Sequence, residues 1–161
     1  MTDAFSGAIT TNYIAINILL AAIWSAGASA CFAVCLNSFH RDILLCALLG
    51  AIGWVFYLAI FGKTGSFFAG YFLGAFAVAV FAEILASLQK KPATIFILPG
   101  ILPLVPGGGM FNTMEAALTG NLDLAGTLGY QTLGAAGAIA LGIALASSAA
   151  RIIRRVRISP R

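Results

Sequence analysis

The sequence predicts an all-α integral membrane protein with about five transmembrane helices, the fourth broken by proline and glycine. Three observations predict it. Of the 161 residues, 61% are hydrophobic and only 9% are charged, against about 25% charged in a soluble domain. Apolar stretches long enough to cross a bilayer core of about 30 Å follow one another with short polar breaks, and the mean hydropathy is +1.01. One of those stretches carries three prolines and a glycine run, which no straight helix accommodates. A chain of this length holds about four to six spans and no separate soluble domain. It is read as one transmembrane domain, residues 1–161, and catalysis in a water-exposed domain is excluded.

The first span covers about 14–36 and ends at Asn37-Ser38-Phe39-His40-Arg41-Asp42. Ala28-Ser29-Ala30 mimics an export cleavage site. The leading segment nevertheless carries Asp3 and no Lys or Arg, and the apolar run exceeds a signal's, so the helix is read as retained. The second span, 43–61, stops at Gly62-Lys63-Thr64-Gly65. The third, 66–88, is interrupted only by Glu83 and closes at Gln89-Lys90-Lys91-Pro92.

The fourth span, 93–110, contains Pro99, Pro103 and Pro106, with Gly100 and Gly107-Gly108-Gly109. Each interior proline costs a regular helix about 3 kcal/mol, because it removes a hydrogen bond and collides with the preceding turn. The fifth, 124–150, is rich in Gly and Ala and runs into a basic tail, 151–161.

Basic residues favour the cytoplasmic side of short loops. With the fourth segment crossing, Arg41, Lys90, Lys91 and the tail's Arg151, Arg154, Arg155, Arg157 and Arg161 share one side, and only Lys63 stands opposite. Without that crossing, Arg41, Lys90 and Lys91 move outside together. The five-span count therefore wins, with the N-terminus outside and the C-terminus cytoplasmic. A re-entrant fourth segment is the competing reading, since irregular backbone is tolerated at membrane depth when protein buries it.

Helix contacts are also written in the residues. Gly134, Ala138, Gly142, Ala146 and Ala150 recur every fourth position, Ala22, Ala26 and Ala30 do so in the first span, and Gly70 and Gly74 form a GxxxG pair. Such stripes let helix backbones approach closely. Cys31, Cys35 and Cys46 lie in apolar stretches and read as small hydrophobes, with no metal site or disulfide implied. The basic balance is a tail effect, so nucleic acid is not an expected partner, whereas anionic membrane lipid is compatible with the tail.

Chemistry is expected at two places. Glu83 is the acidic residue read inside a span, where a carboxylate costs at least a few kcal/mol unless it meets a wet cavity, a cation or a proton. The second place is the Pro/Gly segment. Pro99, Pro103 and Pro106 share a helix face, and the carbonyls they deprive of N–H partners are expected beside them, as in the broken helices that form transporter sites. Gly107-Gly108-Gly109 lacks the Lys-Ser/Thr of a phosphate loop. Asn112 and Thr113 follow it, suited to hydrogen-bond a small polar solute or to cap a short helix. No cofactor is implied. No enzyme is expected either: His40 lies in a loop, and no Ser/His or paired-Asp arrangement sits within the spans.

The stretch from Glu83 to Met114, above all Pro92-Ala93-Thr94, Pro99-Gly100 and Pro103-Leu104-Val105-Pro106-Gly107-Gly108, resembles the C-terminal membrane half of the ThrE-type threonine/serine exporters. The resemblance implies a small subunit working with a larger ThrE-type partner of five further spans. It also implies proton-driven export of threonine, serine or a related small carboxylate across the bacterial cytoplasmic (inner) membrane. The family-like positions are Glu83 and the run from Pro99 to Gly108, comprising Pro99, Gly100, Pro103, Pro106, Gly107 and Gly108. The alternative expectation is a structural subunit that stabilises a partner transporter without binding solute.

Overall fold

A computed structural model describes residues 2–158, with side chains over 18–153. The tail residues 159–161, Arg161 among them, and the side chains of Arg154, Arg155 and Arg157 lie outside the described residues, as do the side chains of Asp3 and Tyr13. Among the described residues there are six α-helices and no strand: α1 (Thr2–Cys35), α2 (His40–Thr64), α3 (Phe67–Gln89), α4 (Thr94–Ile101), α5 (Gly107–Leu118) and α6 (Leu122–Ile158), with a 3-10 turn at Leu102–Leu104 between α4 and α5. Four helices are long and apolar enough to cross a membrane. The pair Thr94–Leu104 and Gly107–Leu118, bent by 48°, makes a fifth if it counts as one span.

The helices extend past the apolar runs wherever the chain supplies end chemistry. α2 ends because Gly65 takes a left-handed φ of 66° and donates its N–H to the Phe61 carbonyl. α3 starts where Ser66 Oγ accepts the Ala69 N–H at 3.4 Å. The fourth segment departs most from the expected 93–110. Gly107-Gly108-Gly109 does not end it but opens α5, which continues to Leu118 and carries Asn112 and Thr113 in its interior.

The core is small-residue packing around a few large side chains, Phe96, Leu49, Leu104 and Val78, each below 2% exposed. α3 is the central helix. Its Gly70 lies against Tyr57 and its Gly74 against the Gly53 carbonyl, both on α2. On its other side α6 approaches so closely that a Cβ at Gly142 would stand 2.6 Å from the Phe72 carbonyl oxygen, and one at Gly134 would strike the Phe68 ring. The expected stripes on α3 and α6 are thus contact faces.

On α1 the contact face is different from the expected one. Ser25, Ser29 and Ala33 are the buried row, while Ala22, Ala26 and Ala30 flank it half-buried. Ser25 Oγ donates to the Gly50 carbonyl at 2.8 Å, which ties α1 to α2. Ser25 thus meets both needs of a helix contact in lipid, close approach and an internal acceptor. Large apolar residues such as Trp24 (77% exposed), Leu44, Leu88 and Leu133 face outward, the arrangement a lipid solvent favours.

Candidate functional site

The break in the fourth segment is built by three prolines, each of which denies one carbonyl its helical N–H. At Pro99 the deprived acceptor is Ile95 O, and the Cys46 thiol of α2 donates to it over 3.6 Å. At Pro103 it is Pro99 O, which takes the Leu102 N–H instead, and at Pro106 it is Leu102 O, which takes the Val105 N–H at 3.1 Å. Tightening to 3-10 bonding recovers the second and third acceptors. The carbonyls expected to stand unpartnered beside the prolines are therefore satisfied, because a neighbouring helix and a local change of helix type supply donors.

This segment has two unlike ends. Pro99 and Gly100 are buried, and a Cβ at Gly100 would stand 3.0 Å from both Leu49 Cβ and Val78 Cγ1. From the turn onward, Pro103, Pro106, Gly107 and Gly108 line a cavity of about 240 Å3 together with Gly109. Its other walls are aromatic, from Trp54, Phe67 and Tyr71, and polar, from Gln131 and Thr132 of α6. Tyr71 is held by Tyr57, whose ring centroid is 4.6 Å away, and by Phe67 at 4.8 Å. α5 and α6 meet closely at this cavity: a Cβ at Gly109 would be 2.5 Å from Thr132 Oγ1.

The cavity therefore sits at the N-terminus of α5. The Gly107 N–H bonds the Val105 carbonyl at 2.8 Å, but the first-turn amides of Gly108 and Gly109 have no acceptor inside the helix. With the positive end of the helix dipole, such amides attract a carboxylate. Thr132 donates its hydroxyl proton to the Leu128 carbonyl at 2.7 Å, which leaves its oxygen lone pairs as acceptors.

Glu83 lies elsewhere. It is half-buried and lines a cavity of about 610 Å3 between α3 and α6 at the opposite end of the bundle, with Ser87, Lys90 and Lys91. Asn112 is exposed on α5 and is not among the residues of the cavity at the break. Thr113 donates to its own helix, at the Gly109 carbonyl, 2.7 Å away. The structure thus brings Pro103, Pro106, Gly107 and Gly108 to one cavity, sets Pro99 and Gly100 in the core, and leaves Glu83 and Asn112 apart from them.

Sequence reading missed the aromatic and α6 walls, since Trp54, Tyr71, Gln131 and Thr132 are brought together only by tertiary packing. It also placed Asp42 in a loop. Asp42 instead belongs to the first turn of α2, is 1% exposed, and accepts a bond from Lys91 Nζ at 2.6 Å across 49 residues of sequence. Its place on the buried face with Cys46, Leu49 and Gly53 was the available signal.

A bundle of long apolar helices, interrupted by a broken segment beside a half-open cavity with aromatic and polar walls, fits a multi-pass membrane protein, the class in which broken segments of this kind form transporter sites. The sequence narrows that class further. A model of the threonine/serine exporter family, ThrE, matches residues 7–149, and the chain belongs to that family. No curated protein and no solved structure matches the chain.

Proposed function

We propose that this chain is the small subunit of a proton-coupled exporter of threonine, serine or a related small carboxylate, working with a larger five-span partner in the bacterial cytoplasmic membrane. The observation that carries this reading is the cavity of about 240 Å3 at the break. It joins carboxylate-seeking amides at Gly108 and Gly109 to polar groups at Gln131 and Thr132 and to an aromatic wall. A small hydroxy amino acid fits that chemistry: its carboxylate faces the α5 amides, and its ammonium and hydroxyl face the Gln131 and Thr132 oxygens. Trp54 and Tyr71 offer ring faces that tolerate an ammonium and exclude water.

A five-span topology is supported by helix directions. α2 and α4 run parallel, with Cys46 beside Ile95 and Leu49 beside Gly100. α3 and α6 run parallel, with Gly134 beside Phe68 and Gly142 beside Phe72 and Phe76. α5 runs antiparallel to α6, with Gly109 at Thr132 and Thr113 at Gly129. The broken segment thus keeps its heading through a 48° bend rather than reversing. At 1.5 Å per residue it supplies about 37 Å, enough to cross. In this orientation the cavity at the break belongs to the outer half and Glu83 to the cytoplasmic half, where its carboxylate serves as the proton-carrying group.

The outer face of α6 supports a partner. Ala136, Ala140, Ala144 and Ser148 are all exposed and recur every fourth residue, a second small-residue row beside the one that meets α3. Efflux of preloaded threonine, serine and succinate from cells carrying this chain, the partner, or both tests the reading. Export that requires both chains is the expected result. Export by the partner alone, at the rate of the pair, would overturn it. Glu83→Gln in the pair is expected to abolish gradient-driven export while the complex still assembles.

A further inference from the structure

α3 and α6 touch closely at Gly134 and Gly142 and part beyond them, where the cavity of about 610 Å3 opens between the two helices. Its walls are apolar, from Ile84 of α3 and from Ala149, Ala150 and Ile153 of α6, and both isoleucines are exposed. Its mouth is basic. Ser87 and Lys90 stand there at the end of α3, both exposed, and Arg151, also exposed, follows Ala150 on α6. Lys91 lines the same cavity but commits its ammonium to Asp42 at 2.6 Å, whereas no described carboxylate lies within ion-pair distance of Lys90. Glu83 is seven positions earlier on α3, which sets it about 10 Å deeper at 1.5 Å per residue.

We infer that this groove binds one anionic phospholipid, whose phosphate accepts from Lys90 Nζ and from the Ser87 hydroxyl while an acyl chain lies between α3 and α6. The depth of each group fits such an occupant. α3 is long and apolar enough to cross a membrane, and Lys90 is the first residue past its end, so its ammonium stands at the level of headgroups. The isoleucine and alanine walls lie on the hydrocarbon side of it, and Glu83 falls level with the chain rather than the phosphate. Basic pockets between spanning helices hold anionic headgroups in this way.

The lysine itself adds to the case. Lys90 ends α3 in a left-handed conformation, φ 55°, where glycine is the favoured residue, so the backbone does not account for a lysine there. A lipid in the groove also joins α3 to α6 where their own side chains leave a gap. The inference concerns these two helices alone and holds whichever solute the chain exports.

Native mass spectrometry of the full-length chain tests it, with phosphatidylglycerol and phosphatidylcholine of the same acyl chains as probes. Phosphatidylglycerol is expected to be retained about fivefold more strongly, the contribution of one basic residue near a headgroup. Lys90→Gln should bring it down to the level of phosphatidylcholine. Lys90→Gly should do the same while leaving the lipid-free chain no less stable, because glycine suits the left-handed position, so that loss is not unfolding. Ala149→Trp keeps every charge but fills the groove, and is also expected to abolish the preference. Arg155→Gln with Arg157→Gln, which removes tail charge outside the groove, should keep the preference within about twofold. A preference intact in Lys90→Gln or in Ala149→Trp overturns the inference, and so does a tail variant that loses as much as Lys90→Gln. Displacement of the lipid by the larger subunit of the proposed exporter assigns the groove to that protein and overturns it as well.

Discussion

The two halves of the broken segment use the same residue types for opposite ends. In the first half, Gly100 serves contact: a Cβ would stand 3.0 Å from Leu49 and Val78, so these buried neighbours would have to give way, and Pro99 beside it is buried. In the second half, Gly107 and Gly108 have nothing within 4 Å of a notional Cβ and border open space. A glycine that fills a contact is a stability residue, and a glycine that leaves a cavity is a candidate binding residue. The difference is invisible in the motif itself and is set by what packs on each side.

Substitutions that exchange these roles give the largest effects. Gly100→Val is expected to destabilise the chain by about 3 kcal/mol, since overpacking a filled core forces neighbours off their rotamers. Thermal unfolding in detergent would show it as a large fall in Tm. The matching Gly108→Val should change stability by no more than about 0.5 kcal/mol, as for a site without close neighbours. Equal Tm values for the two variants would break the contrast.

Gly109→Val stands between them. It crowds Thr132, at the edge of the cavity, and should cost about 1–2 kcal/mol by the same overpacking effect. Cys46→Ala is expected to cost about 1–3 kcal/mol, because it leaves the Ile95 carbonyl without the donor that replaces the missing proline N–H. Cys46→Ser should recover most of that loss, and a serine variant no more stable than the alanine one would remove the thiol from this role. At the small end, Met114→Ser on the exposed side of α5 should alter stability in detergent by no more than about 0.5 kcal/mol, read as a Tm close to that of the unaltered chain.

The long apolar helices were legible because lipid-crossing length and apolar content are properties of contiguous sequence. The contact stripes on α3 and α6 were legible for a related reason, as a four-residue period places small residues on one helix face. α5 was not, because Gly107-Gly108-Gly109 carries a helix penalty of about 1 kcal/mol per residue, so the run reads as an end. It begins a helix because Gly109 must approach Thr132 and because the Val105 and Pro106 carbonyls accept the first and fourth amides.

Asp42 was misread for the converse reason. A charge after a polar loop looks solvated, and only the fold brings Lys91 to it. The four residues of the candidate site that were legible, Pro103, Pro106, Gly107 and Gly108, fall within six consecutive positions. Those that were not, such as Trp54 and Gln131, are contributed by α2 and α6.

The central claim is that the cavity at the break handles the exported solute. Its most direct test compares threonine efflux by Gly108→Leu and Gly126→Leu, expressed with the partner subunit at equal membrane levels. Neither glycine has a neighbour within 4 Å of a Cβ, but only Gly108 lines the cavity. Efflux reduced about tenfold or more in Gly108→Leu, with Gly126→Leu near wild type, is the result this account predicts. Equal efflux from the two variants would contradict it.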